Sequence, residues 1–227
     1  MTMGMGIAAG LVDARGEEKV EARGTKLSVL QGAERERFLA AHNAARNAVG
    51  VEAVTWSEEV AAYALEGLVE QQETLIKEAK DGWKEGGIAL PEHRKDLKHG
   101  ENIAAWMGSG NLQGAERAVE MWLREKAAFD RLNAVKPYRV GDEKVPETKA
   151  PDAKAPDGKE QPEGKEKEKK EPIVVGHYTQ IVWRETKQIG AAKLSFELVD
   201  EKGIARSFVG IVCNYHPPGN RTGEKPF

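Results

Sequence analysis

The sequence predicts a mixed α and β fold, with helices first and an antiparallel pair of strands last. Three observations carry that expectation. Apolar residues recur at helical period from Ala33 to Val49 and again after Ser57. A third stripe of the same period runs from about Leu112 to Leu132. After Lys193 the period falls to two, and a turn follows. Helices segregated from strands in this order define the α+β class.

In the first helix Phe38, His42, Ala45 and Val49 form one stripe at steps of four, three and four, and Gly50 closes it. Ser57 opens the second as an N-cap. Glu58 and Glu59 follow where the helix dipole favours negative charge, and Val60, Ala64 and Leu68 make its buried line, with Leu65 beside it. The third carries Ala118, Trp122, Glu125 and Phe129 on one stripe. In the C-terminal part Leu194, Phe196 and Leu198 alternate with Lys193, Ser195 and Glu197, as in a half-buried strand. Asp200 to Gly203 forms the turn, and Ser207 to Tyr215 returns as the partner strand.

The chain has 227 residues, 34 basic and 37 acidic, with a formal net charge of −3. That balance gives no electrostatic reason to expect nucleic acid. One cysteine makes neither an internal disulfide nor a multi-thiolate zinc site. No apolar run approaches the roughly 20 residues of a membrane span. The charged fraction, 31%, is high for a compact domain. The excess comes from Asp142 to Pro172, which holds eight lysines, ten acids and five prolines, with the tandem repeat Lys149-Ala-Pro-Asp-Ala153 and Lys154-Ala-Pro-Asp-Gly158. Val145 and three alanines are its whole apolar content, too little to offset the entropy of ordering, so it reads as a disordered insertion. Near the N-terminus the apolar run Ile7 to Val12 has no basic residue before it. Residues 1–27 therefore read as a tail, at most the remnant of a signal, ahead of one domain over 28–227.

Glu125 is the most informative single residue. It lies between Trp122 and Phe129 on an apolar stripe, and an inward-pointing carboxylate needs a partner, a metal or a raised pKa; otherwise its flexible chain carries it out to water at the stripe's rim. Glu101 begins the apolar segment that ends at Trp106, where it reads as a helix-initiating acid. His177 stands where the insertion ends and an ordered run resumes, the usual place of a hydrogen-bonded core histidine. His93 and His99, six apart, make no compact metal motif, and local patterns by themselves stop at a mixed α and β domain.

The wording of the blocks goes further. Phe38-Leu-Ala-Ala-His42-Asn43-Ala-Ala-Arg46 with Thr55-Trp56, then Gly100-Glu101-Asn102-Ile103-Ala104, Ala118-Val119-x-x-Trp122-x-x-Glu125, Gly176-His177-Tyr178-Thr179-Gln180-Ile181-Val182-Trp183 and Cys213-Asn214-Tyr215-x-Pro217-Pro218-Gly219-Asn220 resemble, in order, the motifs of the CAP superfamily. That group comprises the cysteine-rich secretory proteins, antigen 5 and the plant pathogenesis-related proteins. The resemblance implies a three-layer α-β-α sandwich with a mainly antiparallel sheet. It also implies that two histidines and two glutamates, remote in sequence, meet in one open cavity: His93, Glu101, Glu125 and His177, with His99 as the alternative to His93. Such a set suits Zn²⁺ or another divalent ion, with the carboxylates either completing the shell or fixing the imidazole tautomers. His42, Asn43 and Arg46 belong to a block of the same group, and read as polar groups tying the first helix to neighbouring backbone.

The sequence departs from the pattern in two places. Gly190-Ala191-Ala192 lacks the cysteine that follows this glycine in secreted relatives, so Cys213 reads as a half-cystine without its partner, acting as a small buried hydrophobe. The insertion replaces most of the connection in which some relatives hold sterol, which argues against a sterol site. The function implied is an exported, non-catalytic binding module, extracellular or of the cell envelope, whose partner is a lipid or a protein. The alternative is a metal-dependent hydrolase with Glu101 or Glu125 as general base; a structural envelope module with the insertion as a spacer is a third reading. Deleting Asp142 to Pro172 is expected to leave the melting temperature nearly unchanged by differential scanning calorimetry. A drop of many degrees would show that the segment contributes core.

Overall fold

The computed structural model describes residues 20–83, 86–109, 114–142 and 173–227, so residues 1–19 and 143–172 of the expected tail and insertion lie outside the described residues. In chain order the elements are β1 (Glu21–Val29), α1 (Gly32–Asn47), β2 (Thr55–Trp56), α2 (Glu58–Asp81), β3 (Gly100–Gly108), α3 (Glu116–Leu123), α4 (Lys126–Val135), α5 (Gly176–Ile181), β4 (Gln188–Val199) and β5 (Ala205–His216). The mixed α and β expectation holds, with an antiparallel path β1-β4-β5-β3 and β2 adding two residues parallel to the start of β4.

The hairpin β4–β5 is the centre of the sheet. Its turn is fixed by Asp200, whose Oδ1 accepts from the amides of Lys202 (2.9 Å) and Ile204 (2.8 Å). In β4 Leu194, Phe196 and Leu198 are buried on one face while Lys193, Ser195 and Glu197 are less so, the period-two pattern of a strand covered on one side. Residues 189–192 are buried on both faces, because helices cover both sides there.

α2 covers one face. Ala64, Leu68, Leu75 and Ala79 pack with Ala192, Leu194, Phe196, Leu198, Phe208 and Val212. Ser57 caps it, accepting from the amide of Val60 at 3.3 Å. The approach is close enough that a Cβ at Gly190 would stand 2.1 Å from the Ala61 amide nitrogen, so only glycine fits under this helix. On the other face Phe38 of α1, Val119 and Trp122 of α3, and Tyr178 and Ile181 of α5 pack with Ala104, Trp106, Ala191, Ile211, Cys213 and Tyr215. The result is the expected three layers, α on β on α.

Four local expectations are corrected. Residues 21–27, read as tail, belong to strand β1, which pairs with β4 from Glu21↔Val199 to Val29↔Ala192. The short, charge-rich segment lacks the clean alternation that would mark it as a strand, and only its partner supplies the ladder. The acid-led segment at Glu101, read as opening a helix, is strand β3, hydrogen-bonded to β5 along its length. The single third helix is two, α3 and α4, broken at Arg124–Glu125, where the amides of both residues bond three back, to Met121 and Trp122, rather than four. Asp142, assigned to the insertion, is tied into the fold: it accepts from the Arg139 amide (3.1 Å) and the Lys136 ammonium (2.9 Å).

His42, Asn43 and Arg46 are structural, as expected. Asn43 exchanges two hydrogen bonds with the backbone of Val54 (2.8 and 3.0 Å). The fully buried Arg46 guanidinium donates to four carbonyls, those of Glu52, Ile181, Trp183 and Thr186, at 2.7 to 2.9 Å. His42 Nδ1 donates to the Phe38 carbonyl (2.9 Å), which leaves Nε2 to accept the Tyr215 hydroxyl (2.9 Å), and Tyr215 in turn accepts from Asn102 (3.0 Å). Burial, reinforced by the Arg46 charge, pulls the His42 pKa down to about 4. The unfolded chain therefore binds a proton at His42 before the folded one does. Stability should fall as pH drops from the ordinary histidine range toward 4, by up to about 3 kcal/mol from this group. Urea denaturation across that range is expected to show the loss in the wild type and a flatter profile in His42→Gln; an identical acid limb in both would refute the assignment.

Candidate functional site

The segment 86–99 carries His93 over α2, and its route is fixed by α2 itself. Gln71 exchanges hydrogen bonds with the backbone of Glu92 (2.6 and 3.0 Å). The Arg94 guanidinium lies 4.2 Å from the Tyr63 ring centroid and donates to the Tyr63 carbonyl (3.1 Å). The Tyr63 hydroxyl donates to the Asp96 carbonyl (3.1 Å) and accepts from the Lys98 amide (3.3 Å). These bonds deliver His93 Nδ1 to within 2.8 Å of Glu101 Oε1.

The Glu101 side chain is 1% exposed, and a carboxylate so buried needs partners. It has three: His93, the Arg94 amide (3.4 Å) and Asn214 Nδ2 (3.1 Å), the last from the residue opposite it in β5. The hydrogen bond to Glu101 raises the His93 pKa against the opposing pull of burial.

The second pair is built by the break between α3 and α4. It turns Glu125 toward the start of α5, where Oε2 accepts from the amides of His177 (2.9 Å) and Tyr178 (3.1 Å) and Oε1 accepts from His177 Nδ1 (2.5 Å). The inward-pointing carboxylate of the sequence reading thus caps a helix and holds its histidine. Trp122 stacks on the His177 ring, with centroids 6.1 Å apart and planes 11° from parallel. Asn102 donates to the His177 carbonyl (3.0 Å).

The structure joins the four candidates two by two, His93 with Glu101 and His177 with Glu125. The reason is strand alternation: successive residues of β3 face opposite sides of the sheet. Glu101 shares its face with Ile103 and Ala105, under α2, whereas Asn102 shares its face with Ala104 and Trp106, under α5. Among the described residues no group of three or more His, Cys, Asp or Glu side chains is spaced to hold a metal ion. His99, the alternative to His93, turns away from Glu101 to lie between Tyr63 (4.8 Å) and His216 (5.2 Å); burial first, then the His216 charge, lowers its pKa.

Asn102, Asn214, Arg94 and Tyr215 support the two pairs; the first, second and last stand in the motif blocks with no role assigned there, and Arg94 stands in none. Nothing short of the β3–β5 register would place Asn214 against Glu101, and nothing short of the 86–99 route would place Arg94 on Tyr63. Gln180 adds a constraint at the strand's first residue: it accepts from the Gly219 amide (3.0 Å) and packs so tightly that a Cβ at Gly100 would meet its Oε1 at 2.1 Å. Cys213 is free and buried, its thiol pKa pushed up by burial, and it pairs across the sheet with Ala191. The residue that lacks the expected cysteine is therefore Cys213's direct neighbour.

An α-β-α sandwich with two imidazole–carboxylate pairs flanking one end of its sheet is the class of molecule that fold and site define. The family comparison agrees. The CAP model, described as the cysteine-rich secretory protein family, matches residues 39–215, and the chain belongs to this family. The chain is similar to a pathogenesis-related protein of PR-1 type from Sambucus nigra, 30% identical over 201 residues that cover 88% of this chain and 85% of the relative. It is also similar to pathogenesis-related protein 1A from Nicotiana tabacum, 32% identical over 190 residues, 84% and 79% of the two chains. The solved structure of MpPR-1i aligns over 84% of this chain and 93% of that one, with 16% identity and a TM-score of 0.42. Among the described residues no helix is long and apolar enough to cross a membrane.

Replacing Glu125 by Ala strips two amides and an imidazole of their acceptor at a mostly buried position. Urea denaturation is expected to show a loss of about 2–3 kcal/mol, with Glu125→Gln losing less because it keeps one acceptor oxygen. Equal stability in all three proteins would refute the capping role.

Proposed function

We propose that this CAP domain is an exported, non-catalytic binding module, that His93 and His177 are each an attachment point for a divalent cation such as Zn²⁺, and that its partner is a lipid or a protein. One observation carries the reading: in each pair the carboxylate occupies Nδ1, so the imidazole keeps Nε2 for a ligand in a defined tautomer. Carboxylate behind imidazole is the supporting arrangement that metal-ligating histidines use. The donor chemistry suits Zn²⁺, which when bound supplies a Lewis-acidic anchor for an anionic group of a partner. Glu101 and Glu125 then act by orientation, holding the rings and raising the basicity of Nε2.

The same bonds favour binding over hydrolysis. Glu101 and Glu125 each accept three hydrogen bonds, and a general base would have to release them to take a proton from water. The secretory description of the family supports export.

Calorimetric titration of Zn²⁺ into the wild type and a His93→Ala/His177→Ala variant tests the cation site. The variant is expected to lose the binding event of highest affinity at neutral pH. An unchanged isotherm would overturn the assignment.

A further inference from the structure

All five histidines lie among the described residues, and three of them have ring nitrogens fixed by the protein. His42 is held between Phe38 and Tyr215, His93 by Glu101 and His177 by Glu125. His99 and His216 differ. Their rings meet edge-on, with centroids 5.2 Å apart and planes at 81°, and neither ring makes a hydrogen bond among the described residues. His99 Nδ1 is buried without a partner. Burying such an atom unsatisfied is unfavourable, which calls for a bound water or ion at the site.

We propose that His99 and His216 form a two-imidazole chelate for a divalent transition-metal ion, separate from the His93–Glu101 and His177–Glu125 pairs. The sheet register creates it. Gly100 pairs with Tyr215, so one step further along the antiparallel ladder His99 and His216 stand opposite each other at the open end of β3 and β5. The Tyr63 ring backs His99 edge-on at 4.8 Å, and Tyr63 is itself held by Asp96 and Lys98. His216 is exposed, which leaves the pair an entry path from solvent.

The spacing agrees with coordination. Metal–nitrogen bonds of about 2.0–2.1 Å at a near-tetrahedral angle place two imidazole centroids about 5 Å apart, close to the separation here. The Glu59 carboxylate, in the first turn of α2, acts electrostatically on His99 and adds negative potential that favours a cation, against the smaller opposing effect of the Lys98 ammonium. No third ligating side chain is spaced to complete a set among the described residues, so water or a partner's donor fills the remaining positions. Imidazole donors suit Cu²⁺, Ni²⁺ and Zn²⁺, and the affinity order of divalent ions makes Cu²⁺ the tightest.

The test titrates Cu²⁺ into the full chain carrying His93→Ala/His177→Ala, with nitrogen hyperfine structure in the paramagnetic resonance spectrum as the readout. That background is expected to bind copper with two imidazole nitrogens. Adding His216→Gln, at an exposed position that leaves the melt intact, should weaken binding about tenfold or more and remove one nitrogen from the spectrum. His99→Gln should do the same. Copper affinity and spectrum unchanged by both substitutions, or no copper binding in the starting background, would overturn the proposal. Loss of Zn²⁺ binding is read separately, from wild type against His93→Ala/His177→Ala, so the two assignments stand or fall apart.

Discussion

Helix α5 has six residues, too few to persist by its own hydrogen bonds, and it is pinned at both ends by ionised side chains from elsewhere in the chain. At its start the Glu125 carboxylate accepts the amides of His177 and Tyr178. At its end the Arg46 guanidinium donates to the carbonyls of Ile181 and Trp183. Negative charge at the amino end and positive charge at the carboxyl end also suit the helix dipole. The rest of the structure follows from this clamp. Arg46 continues to Glu52 and Thr186, fixing the approaches to β2 and β4, and Glu125 requires the break that separates α3 from α4.

The clamp joins positions far apart in the chain. Glu125 and His177 are separated by 52 positions, most of them in the insertion, yet the contact between them is set by packing of α3, α5 and β3. The same logic places the site beside it. His177 is the first turn of the clamped helix, and Asn102 ties its carbonyl to the strand that carries Glu101.

A buried polar chain links the two halves of the site to the core. Asn102 donates to both His177 and Tyr215, and Tyr215 to His42, so the position of α5 is referred to β3, β5 and α1 at once. Each member is satisfied, which is the condition under which such a chain stabilises one arrangement over its alternatives. His93 is referred instead to α2, through Arg94 and Tyr63, and reaches the sheet from the opposite face. The two imidazoles are therefore positioned by different layers of the sandwich.

How much of this was legible depends on range. The sequence by itself determined α1, α2 and the β4–β5 hairpin, because their signals are local: a stripe at helical period, Ser57 with two acids behind it, alternation around an Asp-to-Gly turn. It also marked Glu125 as a carboxylate out of place on an apolar stripe, and its motif wording named the family and the four candidate residues. It could not show β1, whose ladder exists only beside β4, nor the break before α4, which answers to a helix 50 residues on. Which histidine meets which carboxylate was decided by tertiary structure. Alternation along β3 sends Glu101 and Asn102 to opposite faces, and the register of β3 against β5 sets His99 opposite His216, relations between strands that no single segment encodes.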